Sequence, residues 1–173
     1  MESSIRRVNE EVFIAAADVV QLDAQAIDFV KRQALNNARG RARICAHKST
    51  SDTLHEMIIA IRADSYIRPH RHPNKVESFH LIEGDVDVII LSDAGDIEDI
   101  VRLGKNKNFY YRLNVPHYHT LLIQSPVVVV HEITNGPFEA KSNDFGTFSP
   151  EEHTEGVFQY VADLKEKTAA WEA

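Results

Sequence analysis

From residue 41 to residue 133 the chain is a succession of short apolar runs rich in β-branched residues. Turn-forming residues break off each run before it is long enough for a helix. Arg41–His47, Leu54–Ala63, Tyr66–His72, Glu77–Glu83, Val86–Leu91, Ile97–Leu103, Phe109–Leu113, His117–Ile123 and Val127–Ile133 read as strands, with Asp93-Ala94-Gly95 as a hairpin connection. Short strands recurring every ~8–12 residues bury their apolar faces in a barrel or a double-sheet jelly roll. The fold class expected is therefore mainly β.

The flanks follow a different period. Residues 11–17 suit a first strand, and Asp23 is placed to cap a helix over 24–38 that buries Ile27, Val30, Leu35 and the stem of Lys31. Asn36-Asn37 and Gly40 mark its end. Ser149-Pro150-Glu151-Glu152 combines an N-cap, a proline at the first helical position and a capping-box glutamate. Val157, Tyr160, Val161 and Leu164 follow at helical spacing, so a C-terminal helix is expected to lie on the barrel. The organisation is a single domain: residues 1–40 as a strand and helix packed on the barrel, 41–148 as the barrel, and 149–173 as the C-terminal helix.

Chemistry concentrates at His70-Arg71-His72, followed by Glu77 and Gly84. Histidines two apart on a strand point to one face, whereas Arg71 between them points out unless the strand is bulged. Pro73-Asn74 supplies a turn, so the next strand brings Glu77 back toward the same pocket. Two imidazoles and a carboxylate with open coordination positions suit one divalent transition metal such as Zn, Fe, Ni or Mn. His80 has the opposite parity to Glu77 and is expected to face away, while His55, His131 and His153 stand in no motif. Arg41, Arg43, Cys45 and His47 share a strand face. Two guanidiniums there either await an anionic partner or blunt a solvated edge strand.

Nineteen basic against 26 acidic residues give a formal charge of −7, which argues against nucleic-acid binding. No apolar run approaches the ~20 residues of a membrane span, and the polar start is unlike a secretory signal. Cys45 is the only cysteine, so no intrachain disulfide forms and a cytoplasmic location is expected. Cys45 itself reads as a small buried residue.

The pattern H-x-H-x4-E-x6-G from His70 to Gly84 resembles the first metal motif of the cupins, departing only at Asp64, where cupins usually carry glycine. A cupin site takes one more histidine from a later strand, and Val115-Pro116-His117-Tyr118-His119-Thr120 offers two of the same parity. His117 follows a V-P pair, as in many cupins, although the glycine of the second cupin motif is missing.

A narrower likeness is carried by R-x-R-x-C-x-H, by S-Y-I-x-P-H-R-H-x-x-K-x-E-S-F-H-x-I-E-G, by Y-H-T, by H-E-I-T-N-G-P-F and by F-G-T-F-S-P-E-E. Together they resemble the WbuC-type cupin-fold metalloproteins over roughly residues 20–165. The resemblance implies a cupin-type double-stranded β-helix, with an N-terminal and a C-terminal helix, that holds a divalent metal by three histidines and a glutamate. On this chain those are His70, His72, Glu77 and, through Y-H-T, His119; His117 is then left at the pocket rim. It also implies an association with polysaccharide gene clusters, and a homodimer is common among cupins.

The expected function is a metal-dependent isomerase or epimerase acting on a small anionic, sugar-derived molecule, with Arg41, Arg43, His47 and His117 around the substrate. Arg71 or Lys75 could help to orient it, and Tyr66, Tyr111 or Tyr118 could supply a phenolic acid. The alternatives are a non-haem Fe(II) dioxygenase and a non-catalytic metabolite-binding cupin. A metal-independent sugar epimerase has no use for a complete set of ligands.

Overall fold

Alternation of apolar and polar side chains, interrupted by turns, produces the elements of the computed structural model, which describes residues 5–138 and 143–171. In chain order they are β1 (Ile5–Arg7), β2 (Val12–Ala15), α1 (Ala24–Asn36), β3 (Arg41–Cys45), β4 (Leu54–Arg62), β5 (His70–Arg71), β6 (Glu77–Glu83), β7 (Val86–Leu91), β8 (Ile97–Leu103), β9 (Tyr110–Leu113), β10 (Tyr118–Ile123), β11 (Val127–Asn135), β12 (Asp144–Phe145) and α2 (Gly156–Ala169).

Each outgoing strand pairs antiparallel with a returning one: β7 with β8, β6 with β9, β5 with β10 and β4 with β11. Successive pairs alternate between two sheets, so a long hairpin centred on β7–β8 is wound upon itself. Pairing of β10 with β7 and of β11 with β6 completes a seven-stranded sheet, β1-β2-β3-β4-β11-β6-β9, and a five-stranded one, β12-β5-β10-β7-β8. This is the cupin-type double-stranded β-helix. The parallel pair β2–β3 needs a crossover connection, and α1 supplies it.

Three apolar clusters hold the layers together. Met57, Ile59, Ile61, Val88, Ile90 and Val130 fill the space between the sheets. Ala26, Val30 and Ala34 of α1 pack on Ala42, Ile44, Ala60 and Val129, which face out of the large sheet. Leu164 of α2 packs on Ile89, Leu91 and Leu122 behind the small sheet, with Tyr160 and Val161 beside it. Strand β7 is apolar at nearly every position because both of its faces are covered.

Asp23 caps α1, its side chain accepting from the Ala26 N–H at 3.1 Å. Leu35, expected on the buried side, is half exposed, because small alanines make the close contact to the sheet. The expected strand Tyr66–His72 shrinks to His70–Arg71. Pro69 lacks an N–H, and the Ile67 carbonyl accepts from the Thr120 hydroxyl rather than from a ladder partner.

The C-terminal helix starts at Gly156, well after the expected cap at Ser149. The Ser149 hydroxyl donates to the Gly146 carbonyl at 2.8 Å, the Glu152 carboxylate turns to Arg39 and Arg41, and His153 has φ +67. Strands β1 and β12 had no sequence signal strong enough to mark them.

Gly84 closes the β6–β7 turn at φ +88, where a Cβ would come within 2.6 Å of the Val127 carbonyl oxygen. Asp64, where the cupin pattern expects glycine, has no such positive φ and binds Arg62 instead. Gly84→Ala is expected to cost about 1–3 kcal/mol in urea denaturation, through backbone strain and this contact, and a variant as stable as wild type would contradict the turn geometry.

Candidate metal centre

His70 and His119 are directly opposed in the β5–β10 pair, and His72 follows one turn of the backbone alternation later. The ring centroids lie 4.6 Å apart for His70–His119, 4.9 Å for His70–His72 and 5.6 Å for His72–His119. Each ring offers a nitrogen, and the three lie within 4.8 Å of one another, so the cluster could hold a metal ion.

Two of the three rings are oriented by the backbone. Nδ1 of His70 meets the Arg68 carbonyl at 2.9 Å, and Nδ1 of His119 meets the His117 carbonyl at 3.2 Å. A carbonyl only accepts, so both Nδ1 atoms carry the hydrogen and leave the Nε2 lone pairs for an electrophile.

Glu77 opens β6 and reaches into the same cluster. Its Oε2 lies 3.5 Å from His72 Nε2 and its Oε1 3.4 Å from His119 Nε2. Oε1 and that Nε2 are buried without a hydrogen-bond partner in the structure, which fits donor atoms arranged around a cation rather than around each other. Burial alone would raise the Glu77 pKa, but the neighbouring imidazoles, His119 foremost, hold it well below the usual carboxylate range. Burial, reinforced by His119, pushes His70 down to about 4. Burial also works against a charged His119, yet Glu77 outweighs it and the net shift is upward. A neutral His70 and an ionised Glu77 are the forms that ligate metals.

These side chains sit in a cavity of about 440 Å³ between the sheets. Arg41, Arg43, Cys45 and His47 line its wall, because β3 lies between β2 and β4 and turns that face inward. The edge-strand alternative is thereby corrected. His117 is not brought to the site: it is half exposed and its Nδ1 lies 3.1 Å from Glu98. Arg71 points outward, as its parity requires, to Asp144 and Asp93. Tyr66 donates to the Pro150 carbonyl and Tyr118 to Asp144, whereas the Tyr111 hydroxyl is buried without a partner. A larger groove of about 710 Å³ beside α2 shares Arg39, Arg41, Leu121 and Glu152 with the cavity but not His70, His72 or His119, so the chemistry belongs to the smaller space.

Two cavity residues escaped the sequence reading. Glu132 lies on β11 in step with the inward-facing Val128 and Val130, and Arg68 precedes His70 by two. Continuing the period of two from the apolar and ligand positions would have flagged both. Burial, and then the charge of Glu77, pushes the Glu132 carboxyl up to about 8, while Arg43 pulls it the other way.

A family model described as a domain of unknown function, DUF6016, matches residues 22–103, a span that includes His70, His72 and Glu77 but ends before His119. A comparison with curated proteins finds no match. Among solved structures, protein SO0799 from Shewanella oneidensis superposes with a TM-score of 0.57 at 12% identity, over 81% of this chain and 94% of that one. This likeness concerns the fold. L-ribose isomerase of Cellulomonas parahominis (TM-score 0.49, 14% identity, 63% of this chain and 73% of that one) and the Cnp3 cupin domain of Schizosaccharomyces pombe (0.43, 11%, 55% and 64%) are more distant. No helix among the described residues is long and apolar enough to cross a membrane.

The raised Glu132 pKa makes a signed prediction for metal-free protein. The unfolded carboxyl loses its proton near 4.5 and the folded one near 8, so the unfolded state binds fewer protons between those values. The contribution to stability is full below 4.5, falls as pH rises, and is gone above 8. In chelator, wild type is expected to lose more stability than Glu132→Gln between pH 5 and pH 8, as read by urea denaturation. Parallel pH profiles would remove Glu132 from the ionisable cavity groups.

Proposed function

We propose that this protein is a metal-dependent enzyme of the isomerase or epimerase type acting on a small anionic, sugar-derived substrate. The observation that carries the reading is the convergence of three imidazoles, two of them oriented by backbone carbonyls, and a buried carboxylate in a cavity that also holds arginines. His70, His72, His119 and Glu77 are proposed as the ligands of one divalent transition metal. Orphaned buried atoms on His119 and Glu77 support that set. A divalent ion held there would supply Lewis-acid polarisation of a substrate carbonyl or of vicinal oxygens.

The chain's own residues supply the rest. Arg43, with Arg41 and His47 on the same face of β3, orients the anionic end of the substrate. Glu132 shares the cavity with both poles and is the carboxyl that would move a proton on the substrate. The apolar side chains of Ile59, Ile61 and Leu121 limit water around that step. A place in polysaccharide biosynthesis, a kinship with the WbuC-type proteins and a homodimeric state belong to this proposal and rest on the motif resemblance.

His70→Ala, His72→Ala and His119→Ala are each expected to lose most bound metal by elemental analysis, since the four-ligand sites this resembles bind with ~10–16 kcal/mol when complete. His117→Ala should keep it. Full occupancy in the first three would overturn the ligand set. Glu77→Gln, which keeps the shape and removes the charge, should bind metal more weakly across pH 5–8. For the reaction, metal-loaded protein incubated with aldoses, ketoses and their phosphates should yield an isomer seen by chromatography and lost in Glu132→Gln. Oxygen consumption after anaerobic Fe(II) loading, without isomer formation, would replace this reading with the dioxygenase one.

A further inference from the structure

The cavity carries more positive charge than the catalytic reading uses. Arg41, Arg43 and Arg68 all line it, and in each the Nε is buried without a hydrogen-bond partner. Arg41 is only 9% exposed. Arg68 stands two residues before His70, and its carbonyl holds the His70 ring, so this guanidinium is tied to the metal pole by the chain itself. With Arg39, which also lines the cavity, they make four guanidiniums in one space of an acidic protein, and these need counter-charge.

Within the chain that charge comes from the segment before α2. Glu152 accepts from Arg41 at 2.6 Å and, through both oxygens, from Arg39 at 2.9–3.1 Å. Glu151 lies 3.6 Å from Arg68 but is largely exposed, and Arg43 forms no ion pair among the described residues. Of the other carboxyls lining the cavity, Glu77 is engaged by imidazoles, and Glu132 forms no ion pair with an arginine among the described residues. Of Arg41, Arg43 and Arg68, only Arg41 therefore meets a partly buried carboxylate, and the surplus suits a dianion with several acceptor oxygens better than a second monocarboxylate.

We propose that Arg41, Arg43 and Arg68 form a subsite for a phosphomonoester group, and that Glu152 occupies part of it until the ligand arrives. The proposal rests on the anionic-substrate reading above and narrows it to phosphorylated small molecules. On binding, the phosphate oxygens replace the Glu152 carboxylate on Arg41 and reach the free Nε–H groups of Arg43 and Arg68. Glu152 then leaves with its strap, whose next residue, His153, already has φ +67 and is not part of a helix. The metal pole receives the other end of the same molecule.

Calorimetric titration of inorganic phosphate into chelated, metal-free protein at constant ionic strength tests this. Wild type should bind phosphate, Arg43→Met and Arg68→Met should weaken it about 10–100-fold, and acetate should bind more weakly than phosphate. Glu152→Gln should tighten phosphate binding about 2–5-fold by removing a partly exposed competitor, a gain that a misfolded variant does not produce. Absence of phosphate binding, arginine variants that bind like wild type, or unchanged or weaker binding by Glu152→Gln would overturn the subsite. Acetate binding as tight as phosphate would overturn the phosphomonoester assignment. Because no metal is present, these outcomes are independent of whether the histidine variants lose metal or activity.

Discussion

The pairing of β5 with β10 is the contact on which the candidate site depends. It sets His70 opposite His119, and Arg68, His70 and His72 then face one cavity by simple alternation. Yet β5 is two residues long and its ladder is correspondingly slight. What fixes it lies on its other side. Arg71 donates to Asp144 at 2.7 Å and to Asp93 at 2.8 Å and covers the Tyr118 ring at 4.5 Å, while Tyr118 itself donates to Asp144. The Gly146 N–H reaches the Pro69 carbonyl, and Thr120 takes that of Ile67. A two-residue strand holds His70 in place because Arg71 is anchored on its outer face and β12 pairs along its edge. Arg71 is thus an outward-facing residue on which inward-facing geometry relies.

Inside the cavity, electrostatics sorts the carboxyl groups by their neighbours. Glu77 lies among imidazoles and stays ionised, and its charge in turn helps to keep the Glu132 proton on. Two carboxyls on adjacent strands in one enclosed space hold their protons apart because neither is solvated enough to ignore the other. The arginines on β3 and before β5 occupy the remaining wall. Metal-capable donors, a carboxyl with a raised pKa and forked cations therefore share one space, with aliphatic side chains between the sheets lining the rest of it.

Much of this was legible before any tertiary contact was known. The boundaries of β6, β7 and β8 follow from their sequence because the strand-forming runs end at the turn residues Gly84-Asp85 and Asp93-Ala94-Gly95. The shared face of His70 and His72, the return of Glu77 and the outward aim of Arg71 are consequences of a period of two and one turn. Local chemistry also placed Asp23 as the cap of α1. Less visible were Arg68 and Glu132, whose parity was available but whose surroundings gave no motif.

Three features were decided only by the tertiary structure. His117 and His119 have the same parity, and it is the start of β10 at Tyr118 that sends one into the barrel and leaves the other with Glu98. The R-A-R-I-C run has the same alternation on an edge or inside a sheet. Parallel pairing with β2, through the α1 crossover, puts its arginines inside and Ala42 and Ile44 under the helix. Glu152 reads locally as part of a helix start, but Arg39 and Arg41, more than 100 positions earlier in the chain, draw it away and delay α2 to Gly156. Local sequence determines periodicity, and so which side chains share a face. Which face becomes the interior, and which charges meet there, depends on contacts between segments that no local pattern encodes.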